Sequence, residues 1–286
     1  MRRSLTLGCS LLIAGMLVVA CGMESDPPTA TTGPVRPADT VPLRTPGDSL
    51  AKRLADAHGG AAWASAPYLR FNFAVDRGSG EGRPIRHLWN RTTGDYRVEW
   101  GPSDDTTYVA LINVNEVQDG LPAGTVYLDG SALRGARDTT MRTRAYRRFI
   151  NDSYWLLAPL KMFDPGVNRT YQADSSDAEH EVLHLTFGDV GLTPDDEYWF
   201  YVDAETGRLD RWAFRLQGMA DDASPAAFDW TDYQTLSAPG GTVRLAARHA
   251  STNGSTAILT NELSLPSSVP ENAFTAPDPI LADGAE

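Results

Sequence analysis

Between residues 67 and 263 the chain is written almost entirely in period two, with one stretch that is not. Leu69, Phe71, Phe73 and Val75 alternate with Arg70 and Asn72, the pattern of a half-buried strand whose successive side chains point to opposite faces. Similar short runs follow at 85–91, 96–100, 108–114 and 125–128. They resume at 167–171, 180–187, 198–202, 209–216, 228–236, 243–247 and 256–263. Turn formers such as Thr92-Thr93-Gly94-Asp95 and Asp129-Gly130 separate them. The exception is 146–167, where Tyr146, Phe149, Ile150, Tyr154 and Leu157 recur at three- and four-residue spacing and share a helical face. Asn151, Asp152 and Ser153 interrupt that face, so the stretch reads as one helix or as two short ones with a cap between. Pro159 closes it. An earlier helix is read over 48–58, capped by Asp48 and stopped by Gly59-Gly60.

These readings define a mainly β (α+β) chain. About eleven or twelve strands form a curved antiparallel sheet or incomplete β-barrel, with an N-terminal helix and a central helical insert covering the concave face. The domain runs over 48–276, with 277–286 as a C-terminal tail.

The N-terminus carries an address. Arg2 and Arg3, an apolar run over 11–20, and Val18-Val19-Ala20-Cys21 form a secretory signal peptide with a cleavage site that ends in cysteine. The last four residues resemble the lipobox of bacterial lipoproteins, which implies that Cys21 is diacylated and begins the mature chain. The apolar run is shorter than the roughly 20 residues a membrane span needs. Cys9 leaves with residues 1–20, so no disulfide, thiol nucleophile or cysteine-based metal site is open to the mature protein. Residues 22–46 are rich in Pro, Thr and Asp and read as a disordered tether with a reach on the order of 75 Å. Gly22 stands where an aspartate would retain a lipoprotein in the inner membrane. The expected location is therefore the outer membrane facing the periplasm, and Glu24 to Asp26 leave room for surface export. Without Arg2 and Arg3 the 25 basic residues become 23 against 37 acidic ones, a mature charge of −14, which argues against nucleic acid as a partner.

The element order resembles the lipoprotein-localisation (LolA/LolB-like) superfamily, and more closely a group of uncharacterised bacterial lipoproteins of that architecture. The residues that carry the resemblance are His58-Gly59-Gly60, Trp155-Leu156-Leu157-Ala158-Pro159-Leu160-Lys161, Asp164-Pro165-Gly166-Val167, Gly191-Leu192-Thr193-Pro194, and Tyr201-Val202-Asp203 with Thr206-Gly207. The resemblance implies a helix-lidded half-barrel that holds acyl chains or another apolar ligand. On that expectation the cavity candidates are Phe149, Ile150, Tyr154, Trp155, Leu157, Trp199, Tyr201, Trp212 and Phe214. An ordinary filled core is the competing account of the same aromatics.

One motif points elsewhere. His180-Glu181-Val182-Leu183-His184 matches HExxH, the zinc-protease pattern. That chemistry needs a helix, which brings two imidazoles four residues apart onto one face. Here the context is strand-forming, and in a strand the two histidines lie roughly 13 Å apart. Glu197 or Glu205 could supply a third ligand only in a helical frame. His58, at a helix C-terminus where a protonated imidazole is favourable, reads as a cap or core residue rather than a catalyst. Asp189, Asp195, Asp196 and Glu197 read as solvated turn residues, because they lack the spacing of a calcium loop. No cofactor is expected. Three functions remain open at this point: a carrier or sensor of an apolar ligand, a zinc hydrolase built on His180, Glu181 and His184, and an envelope interaction lipoprotein with a filled core.

Overall fold

A computed structural model describes residues 41–103, 105–188, 194–220 and 222–281. The signal peptide, Cys21, most of the tether, and Asp189 and Gly191 to Thr193 lie outside the described residues. Helix α1 spans Pro46–Ala57 and begins one turn earlier than the sequence pattern indicated. Thr45 is its N-cap. The Thr45 hydroxyl accepts from the Asp48 amide (3.0 Å) while the Asp48 carboxylate accepts from the Thr45 amide (3.2 Å). Asp48 is thus the third-residue partner of a capping box and not the cap itself. Gly59, at φ +81°, ends α1 and starts a second short helix, α2 (Gly60–Ser65). A Cβ there would sit 2.0 Å from the Thr242 carbonyl oxygen, so the Gly-Gly pair is both a left-handed turn and a close approach to the sheet.

Thirteen strands form one antiparallel sheet: β1 (Tyr68–Asp76), β2 (Ile85–Asn90), β3 (Asp95–Ser103), β4 (Thr106–Gln118), β5 (Leu121–Leu128), β6 (Ser131–Ala132), β7 (Val167–Tyr171), β8 (His180–Phe187), β9 (Glu197–Asp203), β10 (Leu209–Arg215), β11 (Ala226–Ala238), β12 (Gly241–Ser251) and β13 (Ala257–Ser264). Their order is β6-β5-β4-β3-β2-β1-β13-β12-β11-β10-β9-β8-β7. The first and last strands meet in mid-sheet, a meander runs outward on each side, and the sheet is curved but unclosed. Only the two-residue β6 escaped the alternation pattern, being too short to show a period.

Helix α3 (Gly135–Leu157) joins the edge strand β6 to the opposite edge β7. Twelve inter-strand gaps laid flat would span about 58 Å, whereas 23 helical residues reach about 35 Å. Curvature brings the edges within reach of the connection and turns the inner face into a trough that α3 crosses. The helix starts eleven residues before Tyr146, because its first turns are polar and show no apolar stripe. It ends at Leu157, where a 3-10 turn at Ala158–Leu160 carries Pro159.

The helix is continuous through Asn151-Asp152-Ser153, and the reason lies in the core. The buried side chains under α3 divide into two clusters. One holds Tyr96, Val98, Trp100, Tyr146 and Phe149. The other holds Trp155, Leu156, Leu157, Trp212, Trp230 and the inward residues of α1 and β8–β13. Asp152 sits at their boundary, buried, with Oδ2 3.3 Å from His87 Nε2 and Oδ1 accepting from Asn151 (2.8 Å). His87, fully buried, contacts the Tyr96 hydroxyl through Nδ1 and lies stacked on Phe71 (4.3 Å). The polar break is a buried junction in which the Asp152 carboxylate and the His87 ring face each other at ion-pair distance without a hydrogen bond between them. It does not end the helix.

The C-terminal segment is not a free tail. Residues 273–281 cross the outer face of β2 and β3 and cover an ion pair between Arg97 and Glu99 (2.6 Å) whose side chains are 0% and 2% exposed. Arg97 donates to the carbonyls of Ala273 (3.2 Å), Ala276 (2.8 Å) and Asp278. Glu99 accepts from the amides of Ile280 (2.8 Å) and Leu281 (3.1 Å). Leu281, 4% exposed, packs with Leu88 and Ala273, so the ordered fold extends past residue 276.

Candidate functional site

Strands β4 and β5 run on well beyond their neighbours as a long hairpin. Its tip is Asp119-Gly120, both at positive φ (50° and 73°), the chemistry of a tight two-residue turn. A shift in pairing between Asn113 and Val117 bends the arm. The first turns of α3 lie beside it. Asp138 Oδ1 accepts from the Val126 amide (3.1 Å), which fixes the helix start to β5. Arg142 donates to Asp138 (2.8 Å) and to the Pro122 carbonyl (2.7 Å), a strut between helix and hairpin. The two elements enclose an open cleft of about 890 Å³. Its hairpin wall runs from Asn115 to Ala123, with Val117, Leu121, Pro122 and Ala123 as the apolar part, and its helix wall is Thr139, Arg142, Thr143 and Arg147. The helix-wall residues share a face because they fall at i, i+3, i+4 and i+8. A volume of this size lies in the range of small-ligand sites.

None of the nine residues expected to line a cavity lines this cleft. Trp155 packs edge-on against Trp212 (4.6 Å) and Phe228 (4.8 Å), with Phe214 at 6.1 Å. Tyr154 meets Tyr198 (5.4 Å) and Trp212 (5.7 Å), and burial pushes its hydroxyl pKa far up. Leu157 is buried in the same cluster. Phe149 is edge-on to Trp89 (5.0 Å) and Tyr96 (4.9 Å) in the other cluster, with Ile150 at its margin. Trp199 and Tyr201 sit on the outer face, since β9 turns Tyr198, Phe200 and Val202 inward. Trp199 stacks on His184 (4.9 Å, 13°).

The inner cluster also contains a polar residue that sequence reading did not single out. His249 is fully buried against Trp230 (4.3 Å) and Trp155 (5.7 Å), and neither ring nitrogen has a hydrogen-bond partner among the described residues. Burial lowers its pKa to about 3 and keeps it neutral. His58 is treated likewise. It donates from Nδ1 to the Leu54 carbonyl (2.8 Å), and burial, with Arg244 and Arg208 adding to the effect, takes its pKa to about 4. It is a neutral cap, not the protonated one that the helix C-terminus alone would favour.

The HEVLH residues lie in β8, and the strand disperses them. His180 Nε2 is 3.3 Å from Asp210, His184 Nε2 is 3.1 Å from Glu197, and Glu181 pairs with Arg53 of α1. Each ionisable group has its own carboxylate or guanidinium, and no group of three or more metal-binding side chains forms among the described residues. The acidic turn also differs from its reading. Asp196 is buried, accepting from the Gln217 amide (2.7 Å) and the Tyr198 hydroxyl (3.4 Å), so it organises the β9–β10 end rather than standing in solvent.

No family model and no curated protein matches the chain. Among solved structures, it is similar to a DUF1329 family protein from Desulfovibrio piger, 11% identical, over 81% of this chain and 98% of that one, with a TM-score of 0.48. A LolA superfamily protein from Nitrosomonas europaea is 10% identical over 81% and 98% of the two chains, with a TM-score of 0.43. MucB in complex with MucA(peri) is 12% identical over 80% of this chain and 59% of that one, with a TM-score of 0.20. The open half-barrel crossed by a helix is established by the chain's own strand order.

Proposed function

We propose that this protein is an envelope lipoprotein that binds the apolar chain of an amphiphile between the β4–β5 hairpin and α3, as a carrier or sensor. The observation that carries the reading is the cleft: about 890 Å³, with an apolar strip of Val117, Leu121, Pro122 and Ala123 on a hairpin whose tip is polar, facing a polar helix wall. Such a site buries a chain on one side and leaves a headgroup wet on the other. The lipobox supports the envelope address, with Cys21 as the membrane anchor and the outer membrane as the destination. Cys21→Ala should abolish palmitate labelling and membrane association; equal labelling of variant and wild type would remove the anchor from the account. Native mass spectrometry of the wild-type protein should show a co-purified amphiphile that Leu121→Asp loses, because a carboxylate on the apolar wall must be desolvated by any bound chain. A second reading, an interaction lipoprotein without ligand, is favoured by the interlocked aromatic contacts around Trp155. It predicts a ligand-free spectrum for both proteins.

A further inference from the structure

Helix α3 is basic in an acidic protein. It carries five arginines against two aspartates, in a chain of net charge −12. Two of the arginines, Arg142 and Arg147, reach the cleft. Arg142 is committed to Asp138 and Pro122. Arg147 is half-buried and makes no hydrogen bond or ion pair among the described residues. Thr143, four residues before it and therefore its neighbour on the helix face, adds a hydroxyl to the same wall.

Glu116 and Asp119 also border the cleft, and they oppose an anion. Both are exposed near the hairpin tip, where water and salt screen them. Arg147 is less exposed than either acidic residue, so its charge is screened less than theirs.

Resting on the cleft reading above, we propose that Arg147 receives the anionic headgroup of the bound amphiphile, a phosphate or a carboxylate, while the chain lies along Val117 and Leu121. The planar guanidinium fork matches two oxygens of either group, which a neutral or cationic headgroup does not offer.

The test uses the full chain with Cys21→Ser, so that no acyl anchor competes, and the neutral probe Nile red. Dodecyl phosphate, dodecanol and dodecyltrimethylammonium are titrated as competitors below their micelle concentrations, with inorganic phosphate as a fourth arm. Dodecyl phosphate should displace the probe at about tenfold lower concentration than dodecanol. Arg147→Gln should erase that difference and leave dodecanol unchanged, and Arg147→Lys should retain part of it. The unchanged dodecanol response shows that the cleft is still folded. Equal displacement by all three amphiphiles in the wild type would overturn the inference, as would a preference that survives Arg147→Gln. Inorganic phosphate competing as well as dodecyl phosphate would overturn it too, by showing a free-anion site. Failure of Nile red and of every amphiphile to bind would instead bring down the carrier reading on which it rests.

Discussion

Replacing Trp155 with alanine should destabilise the folded domain by about 3–5 kcal/mol, the range for emptying a large aromatic site in a packed core. Trp155 is 5% exposed and is held by Trp212, Phe228, Phe214 and His249, residues of three strands that converge on one helical turn. The surrounding rings belong to a continuous sheet and cannot collapse into the void. Urea unfolding gives the number directly. Phe149→Ala should cost a comparable amount, because its edge-on contacts with Trp89 and Tyr96 anchor the same helix to the other cluster. The two sites are six residues apart along α3, about 9 Å, and share no ring partner, so the double variant should be close to additive. A loss below about 1 kcal/mol at Trp155 would mean that the inner trough is not filled, and would move the ligand site under the helix.

The second large effect is expected at the outer face. Arg97→Met leaves the Glu99 carboxylate buried without its cation, a change that costs about 3–5 kcal/mol for pairs of this kind. The loss has a location as well as a size. Arg97 and Glu99 together bond five backbone groups of residues 273–281, so the C-terminal segment should detach before the sheet melts. Hydrogen exchange should rise in 273–281 while β9 to β12 stay protected. Replacing both residues, Arg97→Met with Glu99→Leu, should recover part of the stability, since an apolar pair needs no desolvation of charge. Unchanged exchange in 273–281 after Arg97→Met would contradict the assignment.

These two sites also show what the sequence could and could not disclose. The inner residues were legible because a half-buried strand repeats every second residue: Trp212 and Phe214 announce an inward face whatever they pack against. The outer pair was not. Arg97 and Glu99 alternate with Tyr96, Val98 and Trp100, and alternation alone assigns them to solvent. Only the crossing of residues 273–281 buries them, and that segment is Pro-rich and has no period. The polar break in α3 stayed open for a similar reason, since Asp152 faces His87, some 65 positions earlier in the chain, at ion-pair distance. HEVLH was decided locally, by its strand-forming neighbours. The cleft was missed where a signal did exist. Asp119-Gly120 is a strong hairpin turn sequence, but Asn113, Asn115, Glu116 and Gln118 are poor strand formers and hid the two arms that flank it. The basic face of α3 was diluted in the overall negative charge, because net charge says nothing about where the arginines gather.

The central claim is that an apolar chain lies between the hairpin and α3 rather than beneath the helix. Photocrosslinking addresses it most directly. The wild-type protein is irradiated with a diazirine-bearing fatty acid, digested, and the labelled peptides are mapped. The account predicts label in 115–123 and 139–147, with Leu121→Asp removing both. Label concentrated instead on the peptides that carry Trp155, Trp230 and His249, and unaffected by Leu121→Asp, would contradict it.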